Sequence, residues 1–218
     1  VGFNDRLAKP KRISGAGFDT VVGHVDEQLV VSATPTDEPA DFQRILAAMI
    51  AAYRPGLVIG AGFSAQASAT APVGSKILAD RVINATGDAL QLSQPPTRMN
   101  DITIGSLQEV SGDAARRSRY AEAVATNHWC YQFAGACAAV EQPATIVTVV
   151  SDADGADVDP DVENVLRQKT AAAKAGAVVR AAWRKPASLL TLVQRKSDGW
   201  QRQELLADAI AEVIRVAR

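Results

Sequence analysis

The chain has little sulfur, little histidine and few aromatics. Two cysteines, Cys130 and Cys137, and two histidines, His24 and His128, among 218 residues show no ligand spacing for a metal site. The cysteines fall seven apart in one predicted helix, separated by roughly 10 Å along its axis, too far for a disulfide. They read as two reduced, buried thiols of a cytoplasmic protein. A net charge of −1 gives no basic footprint for nucleic acid and no acidic tail. No apolar run approaches the roughly 18 residues of a membrane span. The opening Val-Gly-Phe-Asn-Asp-Arg has none of the features of a signal peptide. It also begins without a methionine, so a natural upstream segment is expected.

What is present suits an ordinary α/β domain: 47% apolar residues, rich in Ala and Val, in a length that fits one core. Short strands are predicted at Thr20–Val25 and Gln28–Ala33, joined as a hairpin around Asp26-Glu27. A helix follows from about Glu38 to Tyr53, with Phe42, Ile45, Leu46, Met49, Ile50 and Tyr53 on one face. Further strands are read at Leu57–Gly60, Lys76–Ile83 and Ile102–Val110. Helices are read at Asp113–Val124, His128–Val140, about Asp161–Trp183 and about Trp200–Val216. This alternation implies a single three-layer α/β/α domain over residues 1–218 around a central mixed sheet.

One stretch stands out. Ala144 to Val150 is a β-branched run that reads as a strand buried on both faces, and it stops abruptly at Ser151 and Asp152. A carboxylate at the C-terminal end of a central strand sits where α/β sheets place ligands. By themselves Ser151 and Asp152 also suit a loop start or a helix cap. The acidic run Asp152, Asp154, Asp157, Asp159 and Asp161 lacks the glycine and terminal glutamate placement of a calcium loop, so a solvated loop and helix start is the better account. His128-Trp129-Cys130 are helical neighbours that point apart, which disfavours a Cys–His nucleophile pair.

Several segments together resemble the purine nucleoside phosphorylase and methylthioadenosine/S-adenosylhomocysteine nucleosidase superfamily. They are Arg54-Pro-Gly-Leu-Val-Ile-Gly-Ala-Gly-Phe-Ser-Ala65, Val73-Gly-Ser-Lys-Ile-Leu-Ala-Asp-Arg-Val-Ile83, Val110-Ser-Gly-Asp-Ala114, and Ile146 to Asp154. The resemblance covers roughly Ser14 to Ala181. It implies an N-glycosyl hydrolase in which Asp152 protonates the leaving purine and Ser151 holds that carboxyl group. It implies a substrate site involving Phe63, Ser64, Asp113, Ala115, His128 and Trp129, no cofactor and no metal. The implied partner is a small-molecule purine nucleoside or nucleobase, with a homo-oligomer, a dimer by preference.

The chain also departs from that family's pattern. Trp129 stands in place of the glutamate that binds the ribose hydroxyls, and an indole is a donor only. Phe63, Ser64, Ala65 and Gln66 replace glycines that line the pocket. Ala115-Arg116 replaces the aromatic that stacks on the base. Gly74-Ser75 replaces Gly-Asp, and Ser32-Ala-Thr34 replaces the phosphate-binding Gly-x-Gly. The water-activating glutamate of the family's first strand has no match here. The expectation is hydrolysis rather than phosphorolysis, and poor catalysis. The competing expectation is a non-catalytic protein that keeps the fold and binds a nucleobase-like ligand or serves in assembly.

Overall fold

The computed structural model describes residues 2–15, 18–34, 39–94, 99, 101–110, 122–153 and 186–217. The chain divides into two compact units, Val1–Asp154 with Gln203–Arg218, and Gly155–Arg202. After a 3-10 turn at Phe3–Arg6, the strands β1 (Ala8–Gly15), β2 (Phe18–Val25) and β3 (Gln28–Thr34) form an antiparallel sheet of three. The β2–β3 hairpin turns where expected, at Asp26-Glu27, with Asp26 at φ 52°. β1 was not anticipated: Lys9, Pro10, Lys11 and Arg12 give it no apolar alternation, and it lies at the sheet's edge, where charge and proline are tolerated.

The helix α1 (Pro39–Tyr53) forms from the expected amphipathic stripe, with Ile45 and Leu46 buried. β4 (Val58–Gln66) runs six residues past the predicted end of its strand at Gly60, because the small residues that follow continue to pair. β5 (Lys76–Ile83) matches its prediction, and the short β6 (Ala89–Gln91) folds back on it through a turn held by Asn84. β7 (Ile102–Glu109) follows. The end of the predicted helix Asp113–Val124 is corrected: Ala123 opens strand β8 (Ala123–Asn127), which lies between β7 and β4. Its alanines favour helix by propensity, but a central position with two ladder partners overrides that preference. Residues 113–121 of the expected helix lie outside the described residues.

α2 (Cys130–Ala138) and β9 (Ala144–Asp152) come next, and then α3 (Pro186–Val216). α3 is the predicted last helix, but it begins at Pro186 rather than near Trp200, with the proline in the first turn, where its missing N–H costs nothing. The expected helix at Asp161–Trp183 lies outside the described residues.

β4 to β9 make one mixed sheet in the order β6-β5-β7-β8-β4-β9. β5 also pairs antiparallel with β9 through Lys76–Leu78, which joins β5, β7, β8, β4 and β9 into a closed ring. The α/β class and the mixed sheet are as expected, while the closure departs from the open sheet of a three-layer sandwich. Closure satisfies backbone donors and acceptors that an open edge would leave unpaired.

The core has two parts. On one face Ile77, Val82, Leu107, Ile146 and Val150 pack with Leu46 of α1 and Cys130, Phe133 and Cys137 of α2. On the other, Leu78 and Val147 pack with Leu7, Val21 and Val25 and with Ala209, Ile210, Val213 and Ile214 of α3. β9 therefore meets apolar neighbours on both faces, and Ile146 to Val150 are fully buried. Among the described residues, no helix is long and apolar enough to cross a membrane.

Candidate functional site

β4 and β9 lie side by side and parallel, Val58 opposite Ala144 through Ser64 opposite Val150, so their C-terminal ends share one edge. The register then slips: Ala65 pairs with Asp152, and Ser151 is left as an extra residue. This bulge matters because strand side chains alternate faces. In an unbroken strand Asp152 would share the buried face of Val150. With Ser151 inserted, Asp152 shares the face of its partner Ala65, which is also the face of Phe63.

Asp152 is exposed, and its Oδ2 accepts a hydrogen bond from Ser151 Oγ at 2.6 Å. The same hydroxyl lies 3.3 Å from the Ser64 carbonyl oxygen. A serine has one proton to donate, so the shorter contact to the carboxylate is the stronger. Phe63, on the same face, keeps 38% of its surface exposed. The sequence-derived group of Ser151, Asp152 and Phe63 is thus brought together at one strand edge.

Ser64 belongs to this edge only through its carbonyl. Its side chain is buried on the opposite face, where Oγ donates to Thr148 Oγ1 at 3.1 Å. Trp129 lies on that opposite face as well. A Cβ on Gly60 would stand 2.9 Å from Trp129 Cζ3, and one on Gly62 would stand 3.1 Å from Cζ2, so the indole occupies space the two glycines leave open. Its ring meets Phe133 edge-on, centroids 6.0 Å apart at 86°. The structure therefore separates Trp129 from Asp152, placing the indole against the core. His128 is exposed at the end of β8. Asp113 and Ala115 lie outside the described residues.

Sequence reading missed the group that fixes the start of α2. Asn127 Oδ1 accepts from the backbone N–H of Trp129 at 3.2 Å and of Cys130 at 2.9 Å. Glu109 Oε2, at the end of β7, accepts from Tyr131 N–H at 2.8 Å and Gln132 N–H at 2.9 Å. These are the four amides that a helix leaves unpaired at its N-terminus. An internal carboxylate therefore fills the end of α2 where an anion would otherwise be favoured. Asn127 could have been found as an asparagine just ahead of the predicted helix start at His128, whereas Glu109 acts from another strand and leaves no local signal. The Cys130 thiol is pushed far up, first by burial and then by the Glu109 charge, and burial pushes Cys137 up to about 11. Neither is a nucleophile at neutral pH.

No protein-family model matches the chain, and no curated protein matches its sequence. Solved structures do match it. The 5'-methylthioadenosine/S-adenosylhomocysteine nucleosidase from Neisseria meningitidis, in complex with methylthio-immucillin-A, superposes with a TM-score of 0.66 at 13% identity, covering 97% of this chain and 91% of that one. The Streptococcus pneumoniae nucleosidase with 8-aminoadenine gives 0.69 at 12% identity, covering 97% and 92%. The Colwellia psychrerythraea nucleosidase in complex with adenine gives 0.61 at 14% identity, covering 93% and 89%. With its strand edge, its bulge and its distant sequence, the chain has the fold of the methylthioadenosine/S-adenosylhomocysteine nucleosidases.

Proposed function

We propose that the chain is a nucleosidase-like protein that takes a purine nucleoside of the methylthioadenosine or S-adenosylhomocysteine type at the shared edge of β4 and β9. It hydrolyses the N-glycosidic bond slowly. The observation that carries this reading is the Ser151–Asp152 pair, which the bulge turns onto the face of Phe63. As the bond to the base breaks, positive charge grows on the sugar and negative charge on the base. Asp152 is the group that hands a proton to a ring nitrogen of the leaving base, Ser151 orients its carboxyl, and water that adds to the anomeric carbon gives up the proton that restores Asp152. A positioned acid of this kind contributes about 10²- to 10⁴-fold. The adenine and nucleoside analogues bound by the structural neighbours support a purine ligand.

Slow turnover follows from what Trp129 does. Its indole packs on Gly60 and Gly62, away from Asp152, and can donate but not accept. It cannot replace a carboxylate that grips a ribose diol. The same observation favours a second reading, a protein that binds the base without cleaving the nucleoside. One domain acting as a cytoplasmic homodimer completes the proposal, and sedimentation of the purified chain tests the dimer.

The test of catalysis is adenine release from methylthioadenosine and adenosine. Release well below the ordinary ~1–10³ s⁻¹, lost in Asp152→Asn and independent of phosphate, is the expected result. Adenine binding with no release supports the second reading. Formation of ribose 1-phosphate would refute hydrolysis.

A further inference from the structure

We propose that Lys76 and Glu212 form a charged subsite beside the Ser151–Asp152 edge, which takes the carboxylate and ammonium of a free α-amino acid carried on the ligand's tail. This rests on the reading of the site given above and adds to it two residues and a ligand group other than the base. Lys76 of β5 pairs with Val149 of β9, and Val149 pairs with Phe63 of β4, so the three stand in one row on one face of the sheet. Asp152 joins that face through the bulge at Ser151. Glu212 comes from α3, which packs on the same face over Leu78 and Val147. Leu78 pairs with Val147, and Lys76 pairs with Val149, two residues further towards the strand end that holds Asp152. The ion pair therefore stands where the apolar contact of α3 ends and the site begins.

The two charges attract each other without saturating each other. Lys76 Nζ lies 4.0 Å from Glu212 Oε2, with the side chains 17% and 29% exposed. That distance is too long for a hydrogen bond. Among the described residues, neither side chain hydrogen-bonds any other group. Three ammonium donors and the acceptors of a carboxylate are thus half-buried and unused. An α-amino acid head presents the inverse arrangement, a carboxylate for Lys76 and an ammonium for Glu212, and forms charge-assisted bonds to both. A lone anion such as phosphate would meet Glu212 as well as Lys76 and be repelled. An uncharged methylthio tail would only strip water from both groups. Asp152 and Lys76 are three residues apart along β9 and one strand across, which separates their backbones by about 11 Å. That span leaves room for a sugar between a base at Asp152 and a charged tail at Lys76.

Calorimetric titration of the whole chain compares S-adenosylhomocysteine, methylthioadenosine, and an analogue of the first whose tail keeps the carboxylate but lacks the amine. Wild type, Lys76→Met and Glu212→Gln are titrated, and melting midpoints without ligand establish that each variant is folded. Wild type should bind S-adenosylhomocysteine about 10-fold more tightly than either other ligand. The ratio of S-adenosylhomocysteine to methylthioadenosine affinity should fall to near one in both variants. A merely structural ion pair would change both affinities together and leave their ratio where it was. Equal wild-type binding of these two ligands, or an unchanged ratio in the folded variants, overturns the subsite and leaves the purine site standing. So does an amine-free analogue bound as tightly as S-adenosylhomocysteine. Failure of all three ligands to bind overturns the subsite and the purine site together.

Discussion

Replacing Gly60 by alanine should destabilise the protein, although alanine is ordinarily the better residue. The new Cβ would lie 2.9 Å from Trp129 Cζ3 and 3.0 and 3.1 Å from Phe133 Cε1 and Cδ1. Carbon atoms in good contact sit about 3.5–4.0 Å apart, so both rings must give way. The indole has little room to do so. It lies close over Gly62, where a Cβ would meet Cζ2 at 3.1 Å, and the Phe133 ring stands edge-on against it. Overpacking of this kind costs about 1–3 kcal/mol. The reduced freedom of the unfolded chain returns about 0.4–1 kcal/mol. A net loss of about 1–2 kcal/mol lowers the melting midpoint by about 2–8 °C for a chain of this size.

Urea unfolding measures it, with Gly56→Ala as control, because a Cβ there meets nothing within 4 Å. Trp129→Leu should relieve the part of the clash that falls on the indole, so a double-mutant cycle should show coupling between positions 60 and 129. Gly60→Ala as stable as Gly56→Ala, with no coupling, would refute the seating of the indole. Trp129 would then be free to reach the Asp152 side, and the reason given for slow turnover would fail with it.

Glu109→Ala should cost about 1–3 kcal/mol by leaving the Tyr131 and Gln132 amides without their carboxylate. Glu109→Gln, which keeps an acceptor oxygen, should cost less, and chemical unfolding separates the two. Thiol reagents should label neither cysteine in the folded protein, since both are buried. Burial raises Cys137 from 9.0 to about 11, so in that window the unfolded chain has lost a proton that the folded chain keeps. Its contribution to stability is therefore complete below about pH 9 and is lost as pH rises towards 11, and the fall in the urea midpoint should be shallower in Cys137→Ala.

Local chemistry was enough to read several elements. The β-branched run Ala144–Val150 declared a doubly buried strand, the stripe through Ile45 and Leu46 declared α1, and Asp26-Glu27 declared a hairpin. The position of Ser151 and Asp152 at a strand end was also legible, because apolar patterning stops there. Other features depended on partners distant in the chain. The helix read over Asp113–Val124 gives way at Ala123 because β7 and β4 pair with the two edges of β8, and β1 forms only because β2 pairs with it. The ring closes only because Lys76, Ile77 and Leu78 find Val149, Thr148 and Val147 of β9 as antiparallel partners.

The direction of a side chain was least legible of all. Gly60 and Gly62 could be read as a close approach, but not that an indole from the end of β8 would fill it. Asp152 could be placed at a strand end, but its face depends on one extra residue in the ladder between β4 and β9. Residue patterning determines the strongly patterned segments, such as β9 and α1, since that follows from neighbours a few positions away. Which face each functional group presents is set by register between strands far apart in the chain, and only the folded sheet decides that.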